Sequence, residues 1–227
     1  MGMKDRFWSL LLLTVKRWTR AKLLPKVTST ISEIEIKDIV ISVGGFGPVD
    51  RYLSSLSSRE HFRLISFDID PKHKPKILAD VENLNSELIQ RRIKPNVIIA
   101  LEVFEHVPNP FTAINECFDS LSSGGVLIFS TPWIIPVHDA PQDFWRFTPE
   151  ALRKLTQKFG QVEIIARGDE FDSVIALMLR GLFGKGLRFR FMLTLGLIFS
   201  IISPKPKLYF EPRLPDSTIG YIVIAKK

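Results

Sequence analysis

Residues 96–148 read NVIIALEVFEHVPNPFTAINECFDSLSSGGVLIFSTPWIIPVHDAPQDFWRFT. The run Val97 to Leu101 has the length and apolar content of a buried strand. It leads straight into an acidic-histidine cluster, Glu102, Glu105 and His106. Asn109-Pro110 then supplies a helix start, with Asn as N-cap and Pro in the first turn. That helix stops at Gly124-Gly125, and Val126 to Ser130 is the next strand. A loop rich in Pro, His, Asp and Trp follows. Polar chemistry therefore collects where buried strands end, the edge at which open α/β sheets bind ligands.

The same alternation continues outward. Upstream, Asp38 to Val43 is a strand ending in Gly44-Gly45-Phe46-Gly47, with a helix from Val49 to Leu56 behind the turn. Phe62 to Phe67 is a second strand, closed by Asp68-Ile69-Asp70-Pro71. Lys76 to Ala79 is a third, closed by Asp80, and Asn85 to Arg92 is a brief helix. Downstream, Thr148-Pro149-Glu150 caps a helix that runs to Phe159, and Val162 to Ala166 and Gly220 to Ala225 are the last strands. Strands alternating with helices predict an α/β fold, a doubly wound, mostly parallel seven-stranded sheet with helices on both faces.

The chain has 227 residues, enough for one well-buried domain and not comfortably two. Its 45% hydrophobic and 24% charged residues are those of a globular protein. The single Cys117 excludes an intramolecular disulfide and a cysteine-based zinc site, and favours a reducing, cytoplasmic setting. The net charge of +7 is uneven. Residues 1–26 form a basic amphipathic helix over 4–22, and Arg180, Lys185, Arg188 and Arg190 sit in an apolar stretch over 171–206. Two readings stand: contact with an anionic membrane at its inner face, or ordinary helices with solvated Lys and Arg. Phe7 to Val15 lacks a small-residue cleavage site behind it, and Phe191 to Ile202 is too short to span a bilayer.

The phrases at Glu102 to Pro110, Gly124 to Pro132 and His138 to Thr148 resemble those of the class I S-adenosylmethionine-dependent methyltransferases. The likeness is to the bacterial small-molecule and glycan branch. It covers roughly residues 38–165 and the final strand, 219–225. It implies a Rossmann-like fold over a single domain, 1–227, with a cofactor-binding core over 38–170. It also implies that Gly44, Gly45 and Gly47 form the cofactor turn, Asp68 holds the ribose, Asp80 meets the adenine amino group, and Leu101 and Glu102 lie beside the methyl. Asp70 is the alternative to Asp68. The chain departs from the family where Ser42 replaces an acid, Phe46 stands where a second Gly is expected, and Pro48 follows.

On the acceptor side, methyl transfer needs alignment, and a base where the nucleophile arrives protonated. His138, Asp143 and His106 are the candidates. Glu102-x-x-Glu105-His106 also resembles the metal cluster of ubiquinone-pathway O-methyltransferases and small-RNA 3′-end methyltransferases. That likeness implies Mg²⁺ or Mn²⁺ on Glu102, Glu105 and His106, with His138 as a further ligand. In relatives that use no metal, His106 orients the loop. Trp145 and Arg146 read either as acceptor contacts or as a core plug and an ion pair. The implied activity is O-methylation of a small molecule, glycan or lipid-linked acceptor. The alternative is a degenerate, non-catalytic relative. Nucleic acid is not expected, because the basic residues lie in apolar helices rather than in an aromatic-interleaved stripe.

Overall fold

The computed structural model describes residues 23–33, 39–45, 48–60, 62–138, 141–181 and 208–227, with the single positions 194, 198 and 202. The sequence-predicted helix over 4–22 and most of the basic stretch after 181 lie outside the described residues.

Five parallel strands build the frame: β1 (Ile39–Val43), β2 (Arg63–Asp68), β3 (Ile77–Leu78), β4 (Val97–Leu101) and β5 (Val126–Pro132). β6 (Gln161–Arg167), β7 (Leu208–Phe210) and β8 (Gly220–Lys226) complete the sheet. Its order is β3-β2-β1-β4-β5-β8-β6-β7, with β8 antiparallel to both neighbours and β7 antiparallel to β6. The strand count is therefore eight, not seven. The three-residue β7 escaped sequence reading because so short a run carries no period of two.

The central strands are apolar on both faces, as strands covered by helices on each side must be. Ile41, Ile98, Ala100, Leu127 and Phe129 face one layer, with Leu84, Leu88, Ile114 and Cys117. Those residues come from α3 (Leu84–Gln90) and α4 (Pro110–Ser120), and α5 (Pro149–Leu155) joins them through Leu152 and Leu155. Val40, Val97, Ile99, Val126 and Ile128 face the other layer. There α1 (Leu23–Glu33) contributes Val27 and Ile31, and α2 (Pro48–Glu60) contributes Leu53. Alternate residues thus fill opposite layers, which fixes the strand register.

Local chemistry sets the helix ends. The Asn109 side chain accepts from Thr112 N at 3.2 Å, and Thr148 accepts from Ala151 N at 3.2 Å. Each cap is followed by Pro at a position that needs no N–H. Gly125 is required where it stands: a Cβ would lie 2.9 Å from Asn96 O and from Ser122 O. α1 continues past Pro25, beyond the expected helix over 4–22. Pro25 falls in its first turn, where its missing N–H costs nothing. The expected insertion after residue 170 opens as a helix, α6 (Glu170–Gly181), with Asp172, Ile175 and Ala176 buried. Among the described residues, no helix is long and apolar enough to cross a membrane.

Phe104 and Phe129 are fully buried and meet edge to face, with ring centroids 5.2 Å apart. Phe104 opens the short turn Phe104–His106. Phe129→Ala should therefore cost about 3–5 kcal/mol. Urea denaturation measures it, and a loss below about 1 kcal/mol would show that the Phe129 ring does not support this turn.

Candidate active site

Parallel pairing brings four strand ends to one edge. Val43 stands level with Phe67 and Ala100, and Asp68 with Leu78. Gly44, Asp68, Asp80 and Glu102 consequently follow neighbouring strands on the same side. Gly44 has φ +63°, and its N–H donates to Phe67 O at 2.9 Å. A Cβ there would lie 2.7 Å from Val103 Cγ2, so both conformation and space call for glycine. Gly45 is described; Phe46 and Gly47 lie outside the described residues.

The Asp68 carboxylate is 7% exposed. One oxygen accepts from Asp70 N at 2.7 Å and the other lies 3.1 Å from His73 Nδ1. Asp70 instead caps the turn Pro71–His73, where its side chain accepts from Lys72 N. Asp80 caps the turn Val81–Asn83, accepting from Glu82 N at 2.9 Å. Leu101 ends β4, half-buried against the apolar layer.

Glu102 adopts φ +56°. Its N–H donates to Ser130 O at 3.0 Å, and its Oε1 accepts from Ser130 Oγ at 2.7 Å and from Arg167 Nη2 at 2.9 Å. Arg167 is 3% exposed. Sequence reading missed it, because the predicted strand stopped at Ala166. The available signal was a cation closing an otherwise apolar strand, which calls for a buried acid.

Glu105 is completely buried, and neither carboxylate oxygen has a hydrogen-bond partner. Its Oε1 lies 3.8 Å from His106 Nε2 and 3.9 Å from His138 Nε2. The imidazoles are held from behind. His106 Nδ1 is 2.6 Å from Gln142 O, and His138 Nδ1 is 3.1 Å from Asp143 Oδ2. Those oxygens only accept, so a hydrogen on each Nδ1 satisfies them and leaves each Nε2 facing Glu105. Burial raises the Glu105 pKa well above the usual carboxylate range, and the Glu102 charge raises it further.

The sequence-predicted metal set is thereby revised. The structure groups Glu105, His106 and His138, with donor atoms all within 4.8 Å of one another. Glu102 stands outside that group and is engaged by Ser130 and Arg167.

Asp143 is not placed to take a proton from an acceptor. Arg146 grips both its oxygens, at 2.6 and 2.7 Å, while His138 N and Nδ1 share Oδ2. The Arg146 hydrogen bonds hold this carboxyl far below the usual range. Its role is to orient His138. Arg146 also donates to Ile135 O and Trp145 O, so it staples the loop to itself. Trp145 donates from Nε1 to Val107 O at 2.9 Å and stacks on Phe147. A cavity of about 460 Å³ lies alongside, lined by Trp133, Ile135, Val137, Phe144, Trp145 and Leu177. A larger one, about 640 Å³, opens at the opposite edge of the sheet beside Lys26, Asn96 and Gln161, away from this chemistry.

The direction of the Glu105 shift fixes a pH dependence. An unfolded Glu titrates near pH 4.3, and in the folded chain Glu105 holds its proton to higher pH. Its contribution to stability is present below the unfolded value and is lost as pH rises through the folded one. Glu105→Gln should remove that loss. In metal-free buffer the stability of the variant minus that of the wild type should grow as pH rises above about 4.3. Thermal melts measure it, and a constant difference would refute the shift.

The family described as "Methyltransferase domain" matches residues 44–166. Comparison with curated proteins finds no match. Among solved structures, a SAM-dependent methyltransferase from Archaeoglobus fulgidus superposes with TM-score 0.57 at 15% identity, covering 95% of this chain and 99% of the other. A Thermotoga maritima SAM-dependent methyltransferase, titled a possible histamine N-methyltransferase, gives TM-score 0.57 at 13% identity, over 98% of this chain and 95% of the other. The Haemonchus contortus phosphoethanolamine N-methyltransferase 2, in complex with S-adenosyl-L-methionine, gives 0.54 at 11%, over 94% of this chain and 56% of the other. With its strand order and the chemistry gathered at one sheet edge, the chain belongs to the class I family of S-adenosylmethionine-dependent methyltransferases.

Proposed function

We propose that the chain methylates an oxygen of a small-molecule, glycan or lipid-linked acceptor, with His138 as the group that takes the acceptor's proton. The observation that carries this reading is the position of His138. Its ring is pinned by Asp143 on one side, and its Nε2 faces a buried carboxylate on the other. The residues fit the cofactor: Asp68, Asp80 and the Gly44 turn stand in a row on neighbouring strand ends. Asp68 would hold the ribose, Asp80 the adenine amino group and Glu102 the sulfonium end; the cofactor supplies an activated methyl group. On transfer, His138 Nε2 would take the acceptor's proton, and the ionised Asp143 carboxylate on Nδ1 would offset the charge of the imidazolium. The apolar cavity beside the loop suits an acceptor with an apolar portion. A cytoplasmic setting, at the inner face of an anionic membrane, fits the basic sequence stretches.

Two variants separate these roles. Asp68→Ala should weaken S-adenosylmethionine binding at least tenfold, since a hydrogen bond to a charged group contributes roughly 1.5–3 kcal/mol. His138→Ala should leave that affinity within about threefold and lower turnover on cell extract by at least a hundredfold, in the range of general-base catalysis. Calorimetry and methyl-transfer assays read the two. Equal losses of both in the His138 variant would make it a structural residue.

A second reading concerns a divalent metal. A fully buried carboxylate without a hydrogen bond, facing two imidazole Nε2 atoms, fits an ion. Glu105, His106 and His138 would hold it, and it would supply Lewis-acid polarisation of the acceptor hydroxyl. Two imidazoles favour Mn²⁺ over Mg²⁺. Titration of the full chain with MnCl₂, followed by electron paramagnetic resonance, should show one bound ion, lost in His106→Ala and kept in Glu102→Gln. No bound ion at millimolar Mn²⁺ would leave the metal-free reading alone.

A further inference from the structure

Arg167 is the least expected residue of the site. It ends β6, and the strand order places β8 and β5 between it and β4. Its Nη2 nevertheless donates to Thr131 O on β5 at 3.1 Å and to Glu102 Oε1, past the end of β4, at 2.9 Å. The side chain crosses β8 at Gly220. A Cβ there would lie 2.2 Å from Nη2 and 2.4 Å from Thr131 O. The sheet thus leaves a side-chain-free crossing for one buried cation. Stability is a poor reason for it, because well-packed apolar replacements of buried ion pairs are often as stable or more so.

Glu102 sits where the reacting end of the cofactor is expected, and Glu105, three residues on, adds a fully buried carboxylate. We propose that Arg167 is a positioning residue for methyl transfer: it holds Glu102 against Ser130 and Thr131 and offsets its charge, setting how strongly the site grips a sulfonium. This rests on the reading that S-adenosylmethionine binds with its sulfonium beside Glu102. The sulfonium carries a full positive charge before transfer and disperses it as the S–C bond breaks. A carboxylate stripped of its guanidinium would stabilise the charged ground state more than the transition state, which tightens binding and slows transfer. Arg167 limits that grip.

The test compares two ligands that share the adenosine part and differ in this charge: S-adenosylmethionine and the neutral thioether S-adenosylhomocysteine. Calorimetry on the full chain gives the ratio of their affinities. Arg167→Met should raise the preference for S-adenosylmethionine at least fivefold while changing the thioether affinity less than threefold. Arg167→Lys should stay within twofold of the wild-type ratio. Glu102→Gln should lower the ratio, and in the Glu102→Gln background Arg167→Met should have no further effect. That double variant carries neither charge of the pair, so it remains informative where Arg167→Met alone fails to fold. An unchanged ratio in folded Arg167→Met, or the same ratio change with and without Glu102, overturns the inference while leaving the cofactor reading intact. A wild-type chain that binds neither ligand overturns both.

Discussion

The backbone carbonyl of Glu105 accepts two hydrogen bonds, from the N–H groups of Phe144 at 2.8 Å and Trp145 at 3.2 Å. Much else follows from that junction. Glu105 lies just past β4, while Phe144 and Trp145 belong to the loop that follows β5. Their pairing sets one segment over the other. The Trp145 indole reinforces it through Val107 O, and His106 does so through Gln142 O. With the backbones joined, the rings of His106 and His138 come within 5.0 Å of each other, and both turn Nε2 toward the same carboxylate. These tethers hold His138 beside the Glu105 carboxylate.

The charges at this edge are set apart by their partners. Asp143 is saturated by Arg146 and stays ionised. Glu102 is engaged by Arg167 and by the Ser130 hydroxyl. Glu105 alone of the three has no hydrogen bond to its carboxylate, and burial pushes it toward the protonated form. Carboxylates driven apart in pKa by their surroundings are a recurring way to divide roles at neutral pH. Asp143 orients, Glu102 carries fixed charge, and Glu105 is the group able to change state.

What could be read from the sequence was whatever a local pattern dictates. The apolar runs at Val97 to Leu101 and Val126 to Ser130, the caps at Asn109 and Thr148 and the Gly124-Gly125 turn all appear where expected. Nearest-neighbour physics determines those features. Most of the misses depend on partners distant in the chain; Asp143, whose partner Arg146 lies three residues on, is the exception. Arg167 acquires its meaning from Glu102, 65 residues away. Glu102 looked like a metal ligand because its spacing to Glu105 and His106 is right, but Ser130 and Arg167 engage it. Asp143 looked like a base until Arg146 proved to occupy both its oxygens. The strand β7 exists only because β6 offers it an edge to pair with.

The position of β8 has a further consequence. The last strand of the chain lies between β5 and β6, so the middle of the sheet is closed by its most distant segment. The family match stops at residue 166, before Arg167, Gly220 and the whole of β8. A fragment cut to that match would lack β1 as well as β8, leaving β2 and β4, and β5 and β6, facing each other across gaps one strand wide. Such edges invite pairing with other chains. The recognisable portion of this sequence is therefore not an autonomous folding unit. Any truncation meant to isolate the site must keep both Ile39–Val43 and Gly220–Lys226.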